Sequence, residues 1–497
     1  VLDTAPRLPV PQHRSLHVAV VGAGPAGIYA TDMLRTQAPG TRVDLFERLP
    51  APYGLVRYGV APDHPAIKRI VDSLHVMLDG SDVRVYGGVH VGVDITLDRL
   101  AAHYDAVVVA TGADTDAVLD VPGVDLPGSF GAADFVSWYD GHPDAPPTWP
   151  LTAQEIAVIG AGNVALDLVR MLVKHPDDLL STDIHDAALD ALRTNQARTV
   201  HLFARRGPAD TRFSAKELRE LGQQTGVEVV VDPADVALDA HAERVMAQSA
   251  QRRLTAETLV GWSRQTPDPD AARRIHIHLF EAPSEILGAD RVEAFRTERT
   301  VPDGLGHVTG SGTYRTYPVQ AVYRAVGYRS TPVDGLPFDL EKNVVPSLAG
   351  RVIDEQGRPV PGRYVTGWVR RGPVGLIGST RSDAAQTVAS LLADHATSGP
   401  CAHRDPAVVE GLLRARGVTP VDWAGWLRID TAERAAGAAA GRDRVKISTW
   451  SGLTEAAETT APDGRSADGG PEEQTEGVGR RGGAEADREL AQRAADR

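Results

Sequence analysis

The sequence predicts an α/β fold: two Rossmann-like dinucleotide-binding domains, the second inserted into a discontinuous first. Three observations predict it. Two glycine turns, Gly22-Ala23-Gly24-Pro25-Ala26-Gly27 and Gly160-Ala161-Gly162-Asn163-Val164-Ala165, each follow a short apolar run, Val18 to Val21 and Ile156 to Ile159. Each turn leads into a helix-like segment and then a second β-like run that ends in charge. A further strand-like run, Tyr364-Val365-Thr366-Gly367, with a helical stretch behind it, lies beyond the second unit, so the chain returns to the first.

Taken in order, residues 1–15 are a proline-rich N-terminal arm without the apolar core of a signal peptide. Strand 17–21, a helix over about 25–38 and strand 42–46 make the first βαβ unit. Gly22 permits the tight turn, Gly24 admits a pyrophosphate, and Gly27 lets helix and strand pack, while the helix N-terminus turns unpaired N–H groups to the phosphates. Glu47 ends the second strand, twenty residues past Gly27. A carboxylate there accepts hydrogen bonds from ribose hydroxyls and repels a 2′-phosphate. Val107 to Gly112 is another strand ending in a turn, and Asp114 to Pro150 reads as a linker with a short helix.

The second unit has strand 156–159, a helix over about 163–174 and strand 199–203, with a polar insertion from His175 to Arg198. Asn163 can add a side-chain hydrogen bond near the pyrophosphate. The strand ends in Ala204-Arg205-Arg206, and two guanidinium forks at that place form a clamp for a 2′-phosphate. One chain thus provides for an unphosphorylated and a 2′-phosphorylated adenosine cofactor, and the economical pair is FAD and NADPH. Further β segments fall at 274–280, 292–300 and 320–326, and Thr380 to Ala396 is helical. Four glycines, Gly367, Gly372, Gly375 and Gly378, cluster ahead of that helix. So bare a backbone lets a planar ring approach, and the helix N-terminus favours negative charge on a reduced flavin.

The expected domains are an FAD domain over 16–113 and 331–447, an inserted NADP domain over 114–330, and a disordered acidic tail over 448–497. Ser451 to Arg497 holds 11 acidic and 6 basic residues and no aromatic one, with at most a weak helix near Glu485 to Ala495. The net charge of −14 argues against nucleic acid as the main ligand. No apolar run approaches the ~18 residues of a membrane span. The single cysteine, Cys401, leaves no intrachain disulfide, no C-x-x-C pair and no ligand set for an iron–sulfur cluster. A reducing, cytoplasmic compartment and no bound metal are expected.

The motifs together resemble a ferredoxin–NADP reductase of the adrenodoxin reductase family, including its bacterial members. G-A-G-P-A-G at 22–27, Y-G-L-V-R-Y-G-V-A-P-D-H-P at 53–65, G-A-G-N-V-A-L-D at 160–167, A-R-R-G-P at 204–208, F-S-A-K-E-L-R-E-L at 213–221, G-W-V-R-R-G-P-V-G-L-I-G at 367–378 and D-W-A-G-W-L-R-I-D at 422–430 carry the resemblance over roughly 16–447. It implies that Ala26, Glu47, Leu55, Val91, Trp368, Gly375, Leu376 and Ile377 contact FAD. It implies that Ala161, Gly162, Asn163, Val164, Arg205, Arg206, Glu217 and Gly375 contact NADP, and that His64 and Glu217 sit near the nicotinamide and flavin as catalytic residues. Taken alone, His64 reads as a surface histidine in a proline-bounded loop and Glu217 as a solvated charge. Where many two-dinucleotide flavoenzymes carry Gly-Asp, this chain has Gly367-Trp368, similar to the adrenodoxin reductase group and unlike thioredoxin- or glutathione-type reductases.

The implied activity passes electrons from NADPH through FAD, as single electrons, to a ferredoxin, an iron–sulfur protein. An acidic ferredoxin calls for a basic docking patch; Arg212, Lys216 and Arg219 are spaced for one helical face, and Arg370 and Arg371 lie near the expected flavin. Two alternatives remain open on the residues alone. One is an NADPH-oxidising electron-input subunit of the glutamate synthase small-subunit type, whose N-terminal cysteine-rich region is absent here. The other is a non-catalytic sensor of NADP occupancy.

Overall fold

A computed structural model describes residues 15–80, 83–266, 268–375, 377–396 and 406–459. The arm over 1–14, the segment from 460 onward, including the weak helix expected at 485–495, and Leu376 lie outside the described residues.

Strands β1 (His17–Val21), β2 (Arg42–Glu47), β3 (Val83–Gly87) and β4 (Ala106–Val109) come from the N-terminal part. After β5 (Thr115–Asp116) the chain forms β6 (Ser129–Gly131), β7 (Glu155–Ile159), β8 (Thr199–Ala204), β9 (Val227–Val231) and β10 (Arg273–Leu279). Next come β11 (Glu281–Leu287), β12 (Ala294–Pro302), β13 (Val308–Pro318), β14 (Ala321–Arg324) and β15 (Tyr328–Arg329). The chain closes its strands with β16 (Ser347–Leu348), β17 (Arg351–Ile353) and β18 (Pro359–Val365).

They assort into two main sheets. One has seven strands in the order β16-β17-β18-β4-β1-β2-β3, the other six in the order β6-β14-β7-β8-β10-β9. The first therefore draws on both ends of the chain and the second on the middle, the insertion expected from the sequence. Within each, the βαβ strands pair in parallel, β1 with β2 and β4, β7 with β8 and β14. β1 and β4 are buried along their whole length, as strands covered on both faces must be. The two crossings between the sheets meet in an antiparallel ribbon, Tyr328 against Asp116 and Arg329 against Thr115. β11, β12 and β13 form a separate antiparallel sheet that the sequence reading resolved only in part.

Two expectations need correction. The acidic tail does not begin at 448: Trp450–Glu458 is a helix, with Leu453 and Ala457 buried against the first core. Its apolar spacing was outweighed in the sequence by the Gly-rich, charged residues that follow. Arg212 also does not share a helix with Lys216 and Arg219. The helix is only Ala215–Leu221, and Arg212 lies ahead of its cap, Ser214, with its N–H donated to the Ala161 carbonyl at 2.7 Å.

Candidate active site

The first glycine turn is held by close backbone approach. Gly22 has φ +105°, and a Cβ there would lie 2.5 Å from the Ala110 carbonyl oxygen; one at Gly27 would lie 1.9 Å from that of Gly22. No side chain caps the Pro25–Gln37 helix, whose N-cap is Gly24, so the leading amides, including those of Ala26 and Gly27, have no side-chain acceptor, an arrangement that suits an anion. Glu47 accepts from Ala23 N at 2.7 Å and Leu49 N at 3.1 Å. Burial pushes its pKa up, against those two backbone hydrogen bonds. Tyr53, at φ +84°, lays the next loop on the turn by donating its N–H to the Ala23 carbonyl at 2.8 Å. Leu55 then opens a short helix beside the turn, and Val91 is buried in a tight turn closed by Gly92 N donating to the Ile95 carbonyl.

Trp368 follows β18 and stacks on Tyr328, with ring centroids 6.4 Å apart. Beneath it Asp383 accepts from the Thr366 hydroxyl at 3.1 Å, from the Gly367 amide and from Arg370 at 2.7 Å. Arg370 is thereby spent inside the fold and is a poor docking charge. Gly375, at φ +89°, stands exposed just before the Ile377–His395 helix.

In the second unit, the Asn163–Val173 helix likewise starts without a side-chain cap, at Gly162. Asn163 Oδ1 accepts from Ser214 N at 2.8 Å. Ser214 in turn caps the helix that carries Glu217, accepting from Glu217 N at 3.2 Å. The turn thus holds the Ala215–Leu221 helix as well as its own strand, with Ala161 and Val164 packed on the core. Arg205 is exposed and Arg206 half-buried at the end of β8, and among the described residues neither has a carboxylate partner. Arg206 Nε is buried without any hydrogen-bond partner, an orphan donor that a phosphate oxygen would satisfy.

The two units meet at His64 and Glu217. Both are buried, so the surface and solvated readings of these residues fail. His64 Nε2 lies 3.0 Å from Glu217 Oε2 and 3.1 Å from Asp167 Oδ1. Burial works against a charged ring, but the hydrogen bonds to Asp167 and Glu217 outweigh it and raise its pKa to about 9. Glu217 moves down: burial would raise it, and the hydrogen bond from His64 prevails. His64, Glu217 and Glu220 present ligand atoms within 4.8 Å of one another. The Arg170 guanidinium touches His64 Nε2, so a positive charge already stands beside these three residues.

Sequence reasoning missed Asp63, Asp167, Arg170 and Lys174. The signal was Asp167 and Arg170, two charges one turn apart in the otherwise apolar run Val164 to Val173. A second buried cluster joins the same parts: Lys68 bonds Asp140 at 3.0 Å and Asp183 at 2.7 Å, and Lys446 bonds Asp140 at 2.9 Å. Arg57 forks Glu433, with one bond at 2.9 Å.

Two dinucleotide-type units, one interrupting the other and touching through a buried ion pair, define a two-nucleotide oxidoreductase. The family model "Pyridine nucleotide-disulphide oxidoreductase" matches residues 16–283. The chain belongs to this family and, within it, to the group of adrenodoxin reductases and NADPH-ferredoxin reductases. It is 40% identical over 459 residues to the NADPH-ferredoxin reductase FprA of Mycobacterium tuberculosis, covering 88% of this chain and 98% of that one. It is 37% identical over 455 residues to the mitochondrial NADPH:adrenodoxin oxidoreductase of Bos taurus, covering 88% and 91%. The solved structure of M. tuberculosis FprA in complex with NADPH superposes with a TM-score of 0.82 at 38% identity, covering 89% of this chain and all of that one. No helix among the described residues is long and apolar enough to cross a membrane.

Proposed function

We propose that the protein is a ferredoxin–NADP(+) reductase that takes electrons from NADPH and delivers them singly to a ferredoxin. One observation carries the reading. A single chain ends the second strand of one βαβ unit in a carboxylate, Glu47, and that of the other in two guanidinium groups without carboxylate partners among the described residues, Arg205 and Arg206, with the buried His64–Glu217 pair between the two units. The relatives' names, NADPH-ferredoxin reductase and NADPH:adrenodoxin oxidoreductase, support it.

FAD, when bound, accepts two electrons as hydride and gives them up one at a time. The residues bind and orient. The uncapped amides behind Gly24 and the Glu47 carboxylate hold FAD phosphate and ribose, with Ala26, Leu55, Val91, Trp368 and Gly375 against the rest. Ala161 to Val164 hold the NADP pyrophosphate, and Arg205 and Arg206 its 2′-phosphate. Hydride transfer needs stacking geometry more than a protein acid, so His64 and Glu217 position and polarise. We place the domain boundaries near 113 and 330, beside the β5–β15 ribbon, with the FAD domain on 16–113 and from 331 through the Trp450–Glu458 helix.

The test is to denature the purified yellow protein and identify the released flavin, then mix holoprotein with NADPH without oxygen. FAD release and rapid bleaching are expected. FMN, or no flavin after reconstitution, removes the reading.

A further inference from the structure

Arg170 has no role in the reading above, yet its side chain is only 1% exposed in the middle of the site. Its Nε donates to Asp63 Oδ2 at 2.6 Å and its Nη2 to Asp63 Oδ1 at 3.1 Å, a two-point fork. Nη2 also donates to Asp167 Oδ1 at 2.6 Å and touches His64 Nε2 directly, and Nη1 reaches Glu217 Oε2 at 3.5 Å. Lys174 adds a longer bond to Asp63, 3.3 Å.

The placement matters more than the count. Asp63 and His64 are neighbours in the loop between β2 and β3 of the first sheet. Arg170, Asp167 and Glu217 stand on two helices of the second. The loop is therefore pinned at two consecutive residues, Asp63 by Arg170 and His64 by Asp167 and Glu217. One pin leaves a loop free to swivel; two adjacent pins fix the direction of the ring as well. Arg170, Lys174 and a protonated His64 face Asp63, Asp167 and Glu217, with Glu220 a further carboxylate beside them, so opposite charges offset one another in this buried site.

We propose that Arg170 is a positioning residue for hydride transfer: by forking Asp63 it clamps the His64 loop to the helix that opens at the second glycine turn, and so sets the approach of nicotinamide to flavin rather than the affinity for the nucleotide. The proposal rests on the NADPH-to-FAD reading. Misplacement of about 1 Å by a residue away from the chemistry can cost ~100-fold in rate.

Arg170→Met, Arg170→Lys and Asp63→Asn are compared with wild type as holoenzymes. The readouts are FAD content, NADP+ dissociation constant by titration, the long-wavelength band of the stacked nicotinamide–flavin pair, and the anaerobic rate of flavin bleaching. Arg170→Met is expected to bleach about tenfold or more slowly, with a weakened band. FAD content should hold, and the NADP+ dissociation constant should move less than about threefold, because no phosphate contact is lost. Arg170→Lys, which keeps the charge but cannot fork, should recover only part of the rate. A rate within about twofold of wild type, a loss of NADP+ affinity as large as the loss of rate, or full recovery by Lys overturns the proposal. If Arg170→Met does not retain FAD, Asp63→Asn carries the same test, since it breaks the fork and leaves Arg170 with Asp167 and Glu217. A wild type that NADPH fails to bleach sinks the NADPH-to-FAD reading instead. The clamp is then judged by a thermal-unfolding cycle of Asp63→Asn and Arg170→Met, where additive losses reject it.

Discussion

The fold brings two carboxylates to one nitrogen of His64, which favours the charged ring and has a consequence for stability. Its pKa, 6.5 in a free side chain, is raised to about 9. A raised histidine stabilises the fold fully below its unfolded value, and the contribution fades as pH rises through the folded value. Wild type should therefore outlast His64→Gln in urea by the most near pH 6, by ~3 kcal/mol as an order of magnitude, and the gap should close between about pH 7 and 10. A gap indifferent to pH would mean the ring is neutral in the folded protein. At the other end of the second unit, each charge-assisted hydrogen bond to a phosphate is worth ~1.5–3 kcal/mol. Changing Arg205 and Arg206 to Ala should raise the KM for NADPH about a hundredfold and leave that for NADH nearly unchanged. Equal losses for both nucleotides would exclude a 2′-phosphate clamp. The positions of Glu47 and the arginine pair at strand ends are legible because each lies a fixed count from a glycine turn. His64 was not, because its partner Asp167 is 103 residues away and nothing local marks the loop as buried.

At the scale of elements, the two βαβ units stand where the glycine turns and apolar runs put them, within a residue or two. What local pattern could not give is whatever is defined by tertiary partners. Trp450–Glu458 is amphipathic and short, and only its bed in the first core makes it a helix rather than the start of an acidic tail. Truncation after Ile447 should therefore destabilise the protein by about 2 kcal/mol or more relative to truncation after Thr459, because it strips Leu453 from a fully buried site. Equal melting temperatures for the two truncations would show that the helix is dispensable. The basic helical face failed for a related reason. Spacing alone cannot tell a seven-residue helix with a loop before it from a longer one.

For the whole molecule, ferredoxin reduction must overcome a net charge of −14. An acidic partner has to find local positive charge, so turnover with ferredoxin should weaken with salt more than turnover with a small uncharged acceptor. Charge reversal at Lys216 or Arg219, both exposed on the helix that carries Glu217, should slow ferredoxin reduction and spare ferricyanide reduction. Ferredoxin kinetics indifferent to ionic strength would remove that helix from the docking face.

The interrupted sheet also imposes an order of events during synthesis. β4 needs β18 as its neighbour, and β18 ends at Val365, whereas every strand of the second sheet has been made by Arg324. On a ribosome the middle of the chain can close its sheet while the first still shows an open edge at β4, a surface inviting wrong partners until the late strands arrive. The first half is begun first and finished last, so on the proposed assignment a nascent chain acquires its nicotinamide-nucleotide fold before it has a place for FAD.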